Sequence, residues 1–214
     1  MFPPLRAIAL AVFATALSSS TVHAAPSAEL AKLCDDYWQG YLRANPVFAT
    51  SVGDGRYGDR LEDITPAGTE REDARLKAVL ERAKAIEPRT LTAADQVTRS
   101  ALLEEVQGQL TRSSCRLEDW VVDPLGGPQV EFMNLPDYTP LVAAPQGDRY
   151  VKRVRHMGRY FDDHIANLRH GLANGRVACR SAVAKTASAI ARRGGNMEDA
   201  PSRGFVSGLR SREA

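Results

Sequence analysis

Residues 146–172 read QGDRYVKRVRHMGRYFDDHIANLRHGL, and the spacing of their apolar side chains decides the fold class. At 100° per residue, Tyr150, Val154, Met157, Phe161, Ile165 and Leu168 fall within a sector of about 80°, one face of an amphipathic helix. Lys152, Arg155, Arg159 and Asp163 lie on the other side. The basic run from Arg149 to Arg159 therefore reads as a solvated face, with Arg159 and Asp163 spaced for an ion pair one turn apart. The stretch is expected to form one continuous helix, the longest in the chain.

Upstream, the same period recurs three times. Pro26 and Ser27 start a helix whose stripe is Leu30, Leu33, Cys34, Tyr37, Tyr41 and Leu42, and Asn45-Pro46 ends or bends it, since the residue before a proline avoids the helical region. Thr65 with Pro66 opens a second, burying Leu76, Val79, Leu80, Ala83 and Ile86 before Pro88. Thr92 opens a third, with Ala94, Val97, Ala101, Val106 and Leu110 expected inward. Only Trp120-Val121-Val122 hints at an extended piece. The fold class is all-α, a helical bundle.

The chain has 214 residues, 43% hydrophobic and 25% charged, with a formal net charge of +2, an ordinary globular composition. Its ends differ from its middle. Met1 to Ala24 reads as a secretory signal peptide: Arg6 is the positive n-region, Ala7 to Leu17 the apolar core, and Val22-His23-Ala24 a small-x-small cleavage site. The mature chain is expected to be periplasmic or secreted, with no membrane contact once the leader is removed. From Ala25 to Ala178 there are 20 basic and 23 acidic side chains, a net of −3. From Cys179 to Ala214 there are 7 basic and 3 acidic, a net of +4, in a Gly-rich tail with Phe205 as its one aromatic. That tail is expected to be poorly ordered, apart from a possible short helix over 181–193. As a nucleic-acid stripe the run from Arg149 to Arg159 would need more charge and interleaved aromatics, and the body is net acidic, which argues against nucleic-acid binding.

Familiar catalytic tools are missing. The sequence has no nucleophile elbow, P-loop or dinucleotide fingerprint. His156 and His164 would stand about 12 Å apart along a continuous helix, and His170 would point roughly 120° away from His164, so the three cannot share one metal. They read as satisfied surface histidines. Asp54 to Asp59 is rich in glycine and carboxylate but lacks the alternating oxygens of a calcium loop. Cys34 and Cys115 are a possible disulfide in an oxidising compartment, with Cys179 left over.

Three stretches carry a resemblance. Asn45-Pro46-Val47-Phe48-Ala49-Thr50-Ser51-Val52-Gly53-Asp54, behind a helix with Tyr37 and Trp38, resembles the opening of the bacterial domain of unknown function 885 family. So do Pro124-Leu125-Gly126-Gly127-Pro128-Gln129 and the run from Asn167 to Ala178. Together they cover Ala25 to Ala178, the N-terminal portion of a family whose members are longer. The resemblance implies exported, largely α-helical proteins that look like zinc metallopeptidases, with an H-E-x-x-H helix in their C-terminal half. That motif is absent from this sequence. No catalytic or metal-binding residue is therefore assigned, and zinc and a peptide substrate are expected only for an intact member. After Ala178 the sequence departs from the family, which suggests a truncated or frameshifted member.

The functional expectation is a non-catalytic N-terminal part of a metallopeptidase-like hydrolase. The alternative is a stand-alone periplasmic helical binding or interaction module. Asn45, Pro46, Thr50, Asp54, Gly126, Gly127 and Gln129 are the candidates for facing a substrate, because function concentrates on loops held by a rigid scaffold. The blander reading makes Asn45-Pro46 and Gly126-Gly127-Pro128 simply helix stops and turns.

Overall fold

The computed structural model describes residues 27–197, so the leader and the tail beyond residue 197 lie outside the described residues. Eight α-helices follow in order: α1 (Ala28–Ala44), α2 (Pro46–Ser51), α3 (Pro66–Ala85), α4 (Ala93–Ser114), α5 (Pro128–Tyr138), α6 (Ala144–Arg155), α7 (Met157–Ala173) and α8 (Arg180–Met197). Single 3₁₀ turns lie at Gly55–Tyr57, Pro88–Thr90 and Leu117–Asp119. No strand occurs among the described residues, Trp120 to Val122 included, and no described helix is long and apolar enough to cross a membrane.

Local chemistry sets the first boundaries. Ser27, Thr65 and Thr92 each accept a backbone N–H of their helix's first turn, at 3.4, 3.1 and 3.1 Å, supplying partners that the helix itself cannot. Asn45 closes α1 by donating its side-chain amide to the Tyr41 carbonyl at 2.9 Å, and Pro46 begins α2. At the far end of α3, Arg99 donates to the carbonyls of Ala83 and Lys84 at 2.9 and 3.2 Å, capping that helix from its neighbour.

One apolar core joins α1, α3 and α4: Leu30, Leu33, Leu76, Val79, Leu80, Ala83, Ile86, Leu91, Leu102 and Val106. The stripes expected for α1 and α3 supply most of it. The stripe expected for α4 holds at Val106, which is buried, and at Leu110, which packs against the core, and is corrected at its other three positions. Ala94 and Ala101 are exposed and Val97 is 71% exposed, while Asp95, Leu102 and Val106 point inward. The rotation follows from a polar contact: Asp95 accepts the Ser27 N–H at 3.1 Å, and that bond turns its face of α4 toward α1.

The long helix is also corrected. It breaks at His156, whose N–H reaches back only three residues to the Arg153 carbonyl at 3.0 Å, and Gly158, a poor helix former, follows. The apolar stripe is only partly covered: Tyr150, Met157, Phe161 and Leu168 are half-buried, and polar positions take the most buried places. Arg153, Asn167 and Gly171 are buried, whereas Val154 is 38% and Ile165 42% exposed. Phe132 of α5 packs edge-on against Tyr160 and Phe161 of α7, at ring separations of 5.0 and 5.3 Å. Residues 180–197 of the expected tail form α8, which takes no part in the principal helix contacts among the described residues.

Candidate functional site

The Asn45–Asp59 segment is organised by one side chain from far away in sequence. Arg153 is wholly buried, so its basic run is not simply a solvated face. Its guanidinium donates to the carbonyls of Pro46, Tyr57 and Arg60 at 3.0, 3.0 and 2.8 Å, and to Thr50 Oγ1 at 2.7 Å. Thr50 in turn donates to the Pro46 carbonyl at 3.0 Å. A planar cation with five donors in fixed directions can hold several acceptors at once, as the longer and looser lysine cannot. Glu62 completes the clamp by accepting the Val47 N–H at 3.2 Å, at the start of α2, where free amides favour a carboxylate. Burial pushes the Glu62 carboxyl above its ordinary range, against the opposing pull of that amide and of Arg153. Burial also pushes the Tyr160 phenol up, with Glu62 and Glu131 adding to the effect.

A second anchor ties the Leu117–Asp119 turn to the end of α7. Asp119 is buried and accepts Arg176 Nη1 at 2.7 Å, stands 3.3 Å from His170 Nδ1, and lies 3.4 Å from Arg116 Nε. Burial alone would raise the Asp119 pKa, but the hydrogen bonds from Arg116 and His170 outweigh it, and the carboxyl is held below the usual range. Gly171 makes the contact possible, since a Cβ there would fall 1.8 Å from the Asp119 carbonyl oxygen. Asn167 donates to the Ile64 carbonyl at 2.8 Å, Asn174 caps α7 through the His170 carbonyl at 2.8 Å, and Gly175 turns the chain with a φ of 72°. The Asn167 to Arg176 run is thus a set of braces.

The candidate residues divide accordingly. Pro46 and Thr50 are buried in the Arg153 clamp, and Asn45 and Pro46 also line a broad cleft of about 960 Å³ between α1, α3, α4 and the 60–64 segment. Asp54 caps the Gly55–Tyr57 turn by accepting the Arg56 N–H at 3.0 Å. Gly127 caps α5, Gly126 is exposed beside it, and Gln129 donates to the Asp123 carbonyl at 2.7 Å. Because α2 packs on α5, the two candidate segments belong to neighbouring helices. A smaller groove of about 250 Å³, lined by Arg60, Glu62, His156, Arg159, Tyr160 and Asp163, lies beside the clamp.

Hydrophobic periodicity missed Arg153, Asp119 and Glu62. A signal was present: Tyr160, His164, Asn167 and Gly171 recur at i, i+4, i+7 and i+11, itself a helical face, but one with little apolar character. Cys34, Cys115 and Cys179 are free thiols in the structure.

The described residues do not fit a zinc ion. No group of three or more His, Cys, Asp or Glu among them is placed to hold a metal. Where a histidine does meet a buried carboxylate, at His170 and Asp119, two guanidiniums already hold the oxygens, an environment hostile to a further cation.

A search of curated proteins found no match. The family described as bacterial protein of unknown function, DUF885, matches residues 46–213, from the first residue of α2 across Cys179 and through α8. That span takes in both anchors and most of the fold, and the chain belongs to the DUF885 family of bacterial proteins of unknown function.

Proposed function

We propose that this chain is the non-catalytic N-terminal part of an exported, zinc-metallopeptidase-like hydrolase, in which its helices wall the substrate cleft. The reading is supported chiefly by Arg153, a fully buried cation that fixes residues 46–60 from α6. Segments that meet a ligand are typically held this way, on backbone whose position is set by buried partners. Zinc and the motif that binds it belong, on this reading, to residues this chain does not contain. The family match across Cys179 weighs against a change of reading frame there.

The test is zinc content and peptide hydrolysis by the purified chain. Neither stoichiometric zinc nor chelator-sensitive hydrolysis is expected, and finding both would overturn the reading. Translating the DNA beyond the last codon is then expected to reveal an H-E-x-x-H pattern.

The continuous apolar core of α1, α3 and α4 favours a second reading, a stand-alone helical binding module. A single cooperative thermal transition of the whole chain, followed by circular dichroism, supports the module. A broad transition supports a part of something larger.

A further inference from the structure

Two cavities share one wall. Arg60, Leu61, Glu62 and Asp63 line both the cleft of about 960 Å³ and the groove of about 250 Å³, so this short irregular segment is what separates them. Its ends are fixed. Arg153 holds the Arg60 carbonyl at 2.8 Å, Asn167 holds the Ile64 carbonyl at 2.8 Å, and Asp63 Oδ1 accepts the Thr65 hydroxyl at 2.6 Å. Asp63 is also pressed on the first turn of α3, where a Cβ on Gly68 would fall 2.3 Å from its carbonyl oxygen. The middle is held differently. Among the described residues, the only hydrogen bond from Leu61 or Glu62 to another residue is the 3.2 Å contact that the Val47 N–H makes to the Glu62 carboxyl. A wall pinned firmly at both ends, and by one bond in between, can open by local motion without unfolding a helix.

We propose that Leu61 and Glu62 form a gate between the cleft and the groove, hinged at Arg60 and Asp63 and latched by Glu62 on the start of α2. Opening breaks the Val47 bond, turns the Glu62 carboxyl into water and joins the two cavities. The latch carries its own bias. No side chain of α2 titrates, but Glu131 faces Glu62 from α5, Arg153 from α6 and Tyr160 from α7, with Arg60 and Asp63 beside it and His156, Arg159 and Asp163 across the groove. Arg153 and the Val47 amide favour the carboxylate, yet burial outweighs them, and the closed gate holds a proton more tightly than an open one. By linkage, proton uptake closes the gate and ionised Glu62 loosens it. Arginine stays charged throughout the neutral range, and burial keeps the Tyr160 phenol neutral. That leaves Glu131, whose carboxyl burial also raises, and His156 as the competing switches.

Amide exchange of Val47, followed by NMR and corrected for the intrinsic pH dependence of exchange, tests this. Its protection is expected to fall at least about threefold between about pH 5 and about pH 7.5, with the amides of α3 and α4 unchanged. Glu62→Gln keeps an acceptor for the Val47 N–H but removes the charge. Protection at about pH 7.5 is then expected to rise at least about threefold, and its pH dependence to vanish. H156Q and E131Q are expected to keep the response of the unaltered chain. Loss of protection in E62Q overturns the proposal, since Glu62 would then be a fixed anchor, and so does a Val47 amide indifferent to pH. A response that survives in E62Q and vanishes in H156Q or E131Q overturns it too. Should E62Q fail to fold, the unaltered chain and the two other variants decide. That a substrate uses the gate rests on the functional reading above, whereas exchange at Val47 needs neither zinc nor hydrolysis, so the two fail separately.

Discussion

Helices α1, α3 and α4 bury leucine, valine and isoleucine, while α6 and α7 bury an arginine, an asparagine and the bare backbone of a glycine. In the first region the water driven from apolar area supplies the stability, and one Leu neighbour serves much like another. In the second, stability rests on a few directional bonds to carbonyls and to one carboxylate, each costly to leave unmade. The first should therefore respond to lost volume and the second to lost partners or altered spacing. The contrast also accounts for the outer surface of α6 and α7: with polar groups turned inward, Val154, Ile165 and Leu172 are left outside.

The sharpest way to break the contrast is Gly171→Ala. One methyl, harmless on most helices, would collide with the Asp119 carbonyl, and a loss of at least about 4 kcal/mol is expected from urea unfolding. A loss under about 1 kcal/mol would show that α7 is not seated as described. Leu33→Ala in the apolar core should cost about 3 kcal/mol through the cavity it leaves, spread over the α1, α3 and α4 unit.

Arg153→Met keeps much of the side-chain volume but removes four hydrogen bonds and leaves the Tyr57 and Arg60 carbonyls without that donor, for an expected loss of about 2 kcal/mol. Its signature is local: amide exchange should rise across residues 46–60 and not in α3 or α4, and a uniform rise would contradict the clamp. The smallest effect is set by pH. Asp119 has a lower pKa folded than unfolded, so it binds fewer protons when folded. Its contribution is present above the ordinary value of 3.8 and is lost as pH falls through the lower folded value. Asp119→Asn should thus cost about 2 kcal/mol at neutral pH, and less as the medium is acidified. A difference that stays constant with pH would place the effect in packing and not in charge.

Much of the first region was legible because its signals are local. Ser27, Thr65 and Thr92 start helices through bonds spanning three residues, and Leu76, Val79, Leu80 and Ala83 repeat at helical spacing. Asp95 was not legible in this way, since its partner lies 68 residues away and its polarity marked it for solvent. Arg153 was harder still: four of its bonds span 93 to 107 residues, and its neighbours Lys152 and Arg155 are exposed. Among the candidate residues, Asn45 and Gly127 act as helix caps, in line with the blander reading, and Asp54 caps its own turn, while Pro46 and Thr50 belong to a clamp that no local pattern announces.

By itself, then, the sequence determined that this chain is helical, where its first helices start and stop, and which side chains make the core of α1 and α3. Periodicity and capping act within one or two turns, so they can be read in one dimension. The tertiary structure alone decided which face of α4, α6 and α7 turns inward and that the long helix breaks at His156. Those outcomes depend on polar partners about 50 to 100 residues apart, whose bonds outweigh a weak apolar stripe once water is excluded around them.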